Sequence, residues 1–430
     1  MILQFKVKNY RSYKEEVTFS MEAEASKQKS SNIFEFQLGN QQSVKYLKTS
    51  AIYGANASGK TNLIRSLYVL IRFIVNKPKI DERIELYEPF LFNNEYRNQP
   101  GDFELTFIGP RGYKYIYKLQ ITANTVLEEE LNYYPNNRIT NLFRRSIEHP
   151  EQRIHLGILG DSKDKKQIAV FSNQLLLSKF GDDEPDELLS DVFLHFKNYF
   201  VLNAVNHKHK DDLQLRVSQE LFNNNRLQRK VALLIQAADT KISGIKLQRL
   251  EDHDLDHLNP ETKAAVKRDP YIIYALHDSY NGETKSTDQI SVNIQEESKG
   301  SQTLYALGGK ILSTIENGGV LIVDELDTSL HPFITKLIVL LFQSEKINPK
   351  GAQLIFTTHD VSLLDRDLLR KDQIWFAEKS DMGVTDFYSL QDFEGLREDT
   401  PFEKWYLAGK FGALPNIKSL EKIFEDVSAD

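Results

Sequence analysis

Gly54-Ala55-Asn56-Ala57-Ser58-Gly59-Lys60-Thr61 lies between a short apolar run, Thr49-Ser50-Ala51-Ile52-Tyr53, and a stretch whose Leu63, Ile64, Leu67, Leu70, Ile71 and Ile74 recur at helical spacing. The octet fits G-x-x-x-x-G-K-[ST]. In that pattern glycines let backbone N–H groups turn inward around nucleotide phosphates, the lysine reaches the β and γ phosphates, and the hydroxyl residue holds Mg²⁺. A strand over residues 49–53, the loop, and a helix over 62–75 come in the order this chemistry needs. Gly54, Asn56, Ser58, Gly59, Lys60, Thr61 and Asn62 are therefore candidate nucleotide contacts, with Thr61 on the cation.

With 430 residues, 40% hydrophobic and 27% charged, the chain can bury a large core as one elaborate domain or two to three lobes. It contains no Cys, which rules out a disulfide framework and any thiolate metal site and agrees with a reducing compartment. The opening Met-Ile-Leu-Gln-Phe-Lys-Val-Lys alternates like a strand and lacks the order of a signal peptide. No run approaches the ~18 apolar residues of a membrane helix, so a cytoplasmic protein with no membrane partner is expected. A net charge of −7 argues against nonspecific coating of nucleic acid, although a local basic face is compatible with an acidic total.

Phe103, Leu105 and Phe107 alternate up to Gly109-Pro110-Arg111-Gly112, and Tyr113, Tyr115, Tyr117, Leu119 and Ile121 alternate away from it, the pattern of a hairpin in an antiparallel β-lobe. From residue 184 to 238 the period becomes helical: Leu188, Leu189, Val192, Phe193, Phe196 and Phe200 on one face, then Leu227, Val231, Leu234, Ile235 and Ala238 on another. The repeat is too short for a long coiled coil, so a compact lid or a short antiparallel helix pair is expected. Afterwards buried strands at 320–323 and 353–357 flank a helix at 333–344, a parallel-sheet order. Residues 93–102, 160–166 and 278–288 read as loops.

Val320-Leu321-Ile322-Val323-Asp324-Glu325 is an apolar strand ending in two acids. At the carboxyl edge of a sheet beside a phosphate loop, Asp324 would bind Mg²⁺ through water and Glu325 would orient or deprotonate the attacking water. Leu326-Asp327-Thr328-Ser329-Leu330-His331-Pro332 follows, and then Ile355-Phe356-Thr357-Thr358-His359. The series resembles the Walker B, D-loop and switch-histidine elements of ABC-type ATPases, which implies ATP and Mg²⁺ as ligands, Asp327 at the nucleotide, and Glu325, His359 and Lys60 as catalytic residues. Glu297-Ser298-Lys299-Gly300-Ser301-Gln302 resembles an ABC signature motif, with Lys299 in place of the usual glycine and Ser301 where transporters often have Gln. In that family the signature serine and glycine, here Ser298 and Gly300, clamp the γ-phosphate bound to a second subunit from a helix N-terminus. The glutamine loop of such a head has no clear position, Gln120 and Gln174 being its only candidates.

Asn9-Tyr10-Arg11-Ser12-Tyr13 resembles the N-F-R-S-F element of RecF, SMC and OLD-type heads, where the arginine approaches the nucleotide. Tyr406-Leu407-Ala408-Gly409-Lys410-Phe411-Gly412-Ala413-Leu414-Pro415, taken with Gln353–His359, is similar to a bacterial group of AAA-type, ABC-like ATPases that includes the RloA and AriA proteins. These are associated with phage defence and encoded beside nucleases. The resemblance covers most of residues 1–75 and 290–416. It implies an α/β P-loop NTPase: an ABC-ATPase-like head with an antiparallel β-lobe and an inserted helical lid. The first part of the head would span 1–180, the lid 181–240, and the second part of the head 241–430. Its implied partners are a second copy in a homodimer or a ring of dimers, a nuclease or toxin effector encoded nearby, and a phage-encoded trigger protein.

Three rival functions remain at this level, the least favoured being a transporter's nucleotide-binding subunit, because the Asn9–Tyr13 element and the lid belong to the soluble heads. An OLD-type nuclease carries a TOPRIM domain after the head, but 71 residues follow His359, against the roughly 100–150 of an ordinary domain, so a nuclease is expected in trans. A RecF- or SMC-like repair ATPase would bind DNA tightly and salt-sensitively, which the acidic total and the absence of a long coiled coil disfavour. His207-Lys208-His209-Lys210-Asp211-Asp212 reads as a solvated tip rather than a metal site. Glu128-Glu129-Glu130 reads as an exposed charged edge, and Phe90-Leu91-Phe92 as core.

Overall fold

A computed structural model describes residues 1–416 apart from 27, 40–41, 137, 148–153, 158–167, 183–185, 204–209, 239–240, 257–258 and 398. Its centre is a six-stranded sheet in the spatial order Phe200–Asn203, Val320–Val323, Gln353–Thr357, Thr49–Tyr53, Ile374–Lys379 and Thr385–Ser389. The first five strands run parallel, and the last returns antiparallel from the fifth. Because strand side chains alternate between faces, each apolar run feeds two cores. Ile52, Val320, Ile322, Ile355 and Trp375 face one core, whereas Ala51, Tyr53, Leu321, Val323, Leu354, Phe356, Ile374 and Phe376 face the other. A sheet buried on both faces explains why these strands read as unbroken apolar runs.

The first core is closed by the expected β-lobe. It is a seven-stranded antiparallel sheet ordered Ile154–His155, Thr140–Ser146, Val126–Tyr133, Lys114–Ile121, Gly101–Ile108, Ile2–Lys8 and Val17–Ser20. The expected hairpin is present, with Phe103 opposite Leu119 and Phe107 opposite Tyr115. The helix Lys60–Val75 packs its Leu63, Ile64, Leu67, Leu70, Ile71 and Ile74 into the same core. Gln353, fully buried, joins the two sheets: its Oε1 accepts from the Ile2 N–H (2.8 Å), and its Nε2 donates to the Ile2 and Leu47 carbonyls (2.9 and 3.2 Å).

The second core is closed by the helices Lys299–Asn317, Pro332–Gln343 and Phe402–Leu407 and by the pair Lys210–Asn223 and Asn225–Ala237. Residues 406–415 hold the sheet from outside. Tyr406 packs on Tyr53 and Phe376, and the Tyr388 hydroxyl donates to the Phe411 carbonyl at 2.8 Å.

Four expectations change. Of Phe90-Leu91-Phe92, read as core, only Phe90 is buried, while Leu91 and Phe92 are 59% and 71% exposed. Phe200, read onto a helical face, begins the strand Phe200–Asn203, because the helix Glu187–Tyr199 ends there and the chain pairs in parallel with Val320–Val323. Residues 278–288, read as a loop, form the end of a hairpin between Tyr271–Asn281 and Thr284–Asn293, which with Gly244–Arg249 makes a three-stranded sheet. Gly282 takes the left-handed conformation (φ 63°) at its turn, and the polar composition of an exposed hairpin tip hid the strands. Glu129 is not on an exposed edge but fully buried. It accepts from Leu176 N (2.6 Å) and Leu177 N (3.0 Å) at the start of the helix Leu176–Asp182, and from the Tyr117 hydroxyl (3.0 Å). Burial pushes its carboxyl above the ordinary range, opposed by Arg145 and by these donors. Of the loop readings, 160–166 lies outside the described residues, as do His207, Lys208 and His209.

Removing Glu129 would leave two helix N–H groups and a phenol without partners in the core. Glu129→Ala is expected to cost about 3 kcal/mol of unfolding free energy and Glu129→Gln, which keeps an acceptor, about 1 kcal/mol. Urea denaturation of both variants measures this, and equal losses would show that the acceptor is not what Glu129 contributes.

Candidate functional site

The parallel strands deliver their last residues to one edge, and the phosphate loop lies there. Its two glycines are required by space as well as by backbone angle. At Gly54 (φ 151°) a Cβ would sit 2.3 Å from the Ala377 carbonyl, and at Gly59 (φ 117°) 2.4 Å from Thr385 Oγ1. Lys60 Nζ donates to the carbonyls of Gly54 (2.7 Å) and Ala55 (3.0 Å), folding across the loop. Burial lowers its pKa, opposed by the carboxylates of Asp324, Glu325 and Asp327. Ser58 Oγ is buried with no hydrogen-bond partner among the described residues, while Asn56 and Ala57 (φ 62°) stand exposed at the tip. An orphaned hydroxyl, and an ammonium satisfied only by the loop's own carbonyls, are groups that a polyphosphate would engage.

The two acids after Val323 turn a corner beside this loop. Asp324 Oδ1 accepts from Thr61 Oγ1 (3.2 Å) and from Thr357 Oγ1 (2.6 Å). Burial raises the Asp324 pKa, opposed by those two hydroxyls. One hydroxyl and one carboxylate oxygen are hard ligands that leave room for phosphate oxygens and waters, which suits Mg²⁺. Glu325 is exposed in the left-handed conformation (φ 54°), its N–H held by Thr357 Oγ1 at 2.7 Å. Asp327 accepts from the His359 N–H with both oxygens (3.3 Å each). Burial lowers the His359 pKa and Lys60 acts in the same direction, opposed by the carboxylates of Asp327, Glu325 and Asp324. Lys60, Thr61, Asp324, Glu325, Asp327 and His359 are thus brought together.

Asn9 and Arg11 both have positive φ (50°), a tight corner that places Arg11 against the start of the phosphate-loop helix. Arg11 Nε donates to Glu88 (2.5 Å) and its Nη1 to Asn62 Oδ1 (3.2 Å). Asn62 Nδ2 donates to Ser12 Oγ (2.8 Å), and Thr385 Oγ1 lies 2.8 Å from Ser12 Oγ and donates to the Ser58 carbonyl (2.7 Å). Tyr13 closes the set through a bond to the Gly59 carbonyl (3.0 Å). Thr357, Thr385 and Glu88 were not singled out from the sequence. Thr357 stands inside a quoted motif, but Thr385 and Glu88 lie on segments with no pattern of their own.

Ser298 caps the helix Lys299–Asn317, accepting from the Ser301 N–H at 3.1 Å. A Cβ on Gly300 would sit 3.0 Å from the Ser329 carbonyl, so this helix end abuts the segment after Asp327. Among the described residues, no bond joins Ser298 or Gly300 to the chain's own phosphate loop. Gln120 bonds Asp102 and Gln174 the Pro78 carbonyl, contacts that belong to the β-lobe and its surroundings. The chain leaves the site's edge after Asn203, and residues 204–209 lie outside the described set. No helix among the described residues is long and apolar enough to cross a membrane.

Among solved structures, the chain is similar to an SMC head domain with an extended coiled coil bound to the C-terminal domain of ScpA, from Pyrococcus furiosus, at 15% identity and a TM-score of 0.37, over 90% of this chain and 96% of that one. The recombination mediator protein RecF is similar in its ATPrS form (14% identity, TM-score 0.35, 90% and 98% covered) and its ATP form (13%, 0.35, 90% and 97%). No curated protein matches. The fold is α/β, and residues 50–365, from the phosphate-loop strand past His359, match the family described as "AAA domain, putative AbiEii toxin, Type IV TA system": the chain belongs to that family, AAA_21.

Proposed function

We propose that this protein binds ATP with Mg²⁺ and hydrolyses it to ADP and phosphate, that two copies complete each other's sites, and that nucleotide state controls a partner effector. The observation that carries the reading is the convergence of Lys60, Thr61, Asp324, Glu325, Asp327 and His359 on one sheet edge. The loop N–H groups and Lys60 would grip the β and γ phosphates, and Thr61 with Asp324 would hold Mg²⁺, whose charge offsets that of the phosphates. Glu325, exposed at the mouth, orients a water in line with the γ-phosphate and takes its proton as the new P–O bond forms and the bond to ADP breaks. His359 donates a hydrogen bond there, and Arg11, as the resemblance to RecF and SMC heads implies, approaches the nucleotide from the side.

The resemblance of Glu297–Gln302 to an ABC signature, with Ser298 capping the helix Lys299–Asn317, supports the use of Ser298 and Gly300 on a partner copy's γ-phosphate in a homodimer or a ring of dimers. The segment 181–240, between head parts 1–180 and 241–430, is proposed as the lid on which a trigger acts. The likeness to RloA and AriA, and a family description that names a toxin, support a cytoplasmic role in antiphage defence with a nuclease or toxin in trans.

Lys60→Ala is expected to weaken ATP binding about 10–100-fold by removing charge-assisted phosphate contacts. Glu325→Gln is expected to keep ATP affinity while lowering turnover by about 10²–10⁴-fold. Calorimetry and phosphate release separate the two, and equal loss of affinity in both would refute Glu325 as the base.

Mixing inactive Lys60→Ala subunits with inactive Ser298→Arg subunits should restore part of the ATPase, because some mixed dimers carry one intact composite site. No recovery in verified mixed dimers argues against a shared site.

The purified chain alone is expected to leave DNA and RNA uncut, the acids at its centre being committed to ATP. Metal-dependent cleavage that survives Lys60→Ala would transfer the nuclease to this chain.

A further inference from the structure

Thr357 is the last residue of the strand Gln353–Thr357 and is fully buried. It binds three successive residues of the acidic corner on the neighbouring strand. Its Oγ1 donates to Asp324 Oδ1 at 2.6 Å and accepts from Glu325 N at 2.7 Å, and its carbonyl accepts from Leu326 N at 3.0 Å. A hydroxyl has one proton and two lone pairs, so both bonds can form together only with this polarity: the proton goes to the carboxylate and a lone pair to the amide. The arrangement accounts for the Glu325 backbone. A non-glycine residue at φ 54° is strained and persists only where its surroundings over-determine it, and here the neighbouring strand fixes the amides on both sides of its Cα.

We propose that Thr357 is the positioning residue of the hydrolytic site, its single hydroxyl setting the carboxylate of Asp324 and the backbone of Glu325 relative to each other at the mouth of the phosphate loop. The inference rests on the ATPase reading above. Thr357 touches neither nucleotide nor water itself. Two residues further on, the His359 N–H bonds Asp327, and between them the Thr358 N–H bonds the Ile52 carbonyl at 3.1 Å on the phosphate-loop strand. The end of one strand therefore registers the acids against the loop. A threonine serving only to pack the strand would need its methyl group and not its hydroxyl, which makes valine and serine the discriminating replacements.

The experiment compares wild type, Thr357→Val and Thr357→Ser as the full chain, measuring ATP affinity by calorimetry with EDTA and with Mg²⁺, and steady-state hydrolysis. Thr357→Val is expected to bind ATP in EDTA within about twofold of wild type, since the loop is untouched. It should lose about tenfold of the affinity that Mg²⁺ adds, the worth of one charge-assisted hydrogen bond. Its kcat should fall about 10²-fold, the effect of a catalytic group displaced by about 1 Å, and its KM for Mg²⁺-ATP should rise by up to about tenfold, following the weaker binding. Thr357→Ser should restore both to within about threefold. Wild-type Mg²⁺ dependence and kcat in Thr357→Val would overturn the proposal, as would a serine variant as impaired as the valine one. If the valine variant does not fold, Thr357→Ala against Thr357→Ser makes the same comparison. A wild type that binds Mg²⁺-ATP without hydrolysing it would sink the ATPase reading instead, and the Mg²⁺ dependence of binding would still judge the hold on Asp324.

Discussion

Everything at the site follows from the direction of five strands. Parallel strands end at the same edge, so residues distant in sequence arrive together: Thr61 meets Asp324 across 263 positions, and His359 meets Asp327 across 32. The same arrangement demands cover on both faces, because parallel strands are buried on each side. Two cores result, one closed by the β-lobe and the phosphate-loop helix, the other by the helices after residue 210. The β-lobe is thus part of what keeps the edge aligned, and Gln353, bonded to Ile2 at the foot of a central strand, ties it in at the end opposite the acids.

Within that frame the loop's shape is set by contact from outside. A phosphate loop offers its N–H groups only while its carbonyls are occupied elsewhere. Here Thr385 takes the proton-accepting side of Ser58, Tyr13 that of Gly59, and Lys60 those of Gly54 and Ala55. Thr385 lies on the antiparallel edge strand and Tyr13 in the corner that also carries Arg11. The loop is therefore clamped between the first and last parts of the head. Lys60 is the one clamp that a phosphate would draw away.

The sequence was most legible where chemistry imposes a residue type at a fixed spacing. Gly54, Gly59, Lys60 and Thr61 could be read because backbone angle, close approach and charge leave few substitutes, and the apolar run into Asp324 because a strand buried on both faces has a simple pattern. Phe200 could not be assigned, since an apolar residue after an amphipathic helix continues the helical period equally well until a pairing strand is known. Glu129 was misread because three successive acids suggest solvent, whereas alternation along a strand sends the middle one inward. Thr357 and Thr385 are ordinary strand residues by composition, and their roles exist only in what lies opposite them. The hairpin at 271–293 was hidden by its own exposure, which removes the alternation that a half-buried strand would show.

Direct contacts link the acidic corner to the helical segment. After Asp327 the chain reaches Ser329 (φ 64°), whose carbonyl would lie in tight contact, at 3.0 Å, with a Cβ at Gly300. The helix beginning there runs to Asn317 and is held along its length by the pair Lys210–Asn223 and Asn225–Ala237: the Tyr305 and Ser218 hydroxyls lie 3.0 Å apart, Glu220 accepts from Lys310 (2.9 Å) and Ser313 (2.5 Å), and Lys230 pairs with Glu316. Gly309 packs so closely that a Cβ would meet Val217 at 2.5 Å. Close-packed interfaces of this kind rearrange between discrete states rather than deform continuously. If the site binds and hydrolyses ATP as proposed, a shift at Asp327 on binding or loss of the γ-phosphate would be absorbed at the Ser329–Gly300 contact or carried by the helix into residues 210–237. The first would leave the two ends independent. The second would make the Ser298 end of the helix and the helical pair move as one body, which the proposed control of the sheet-edge site from the helices would require.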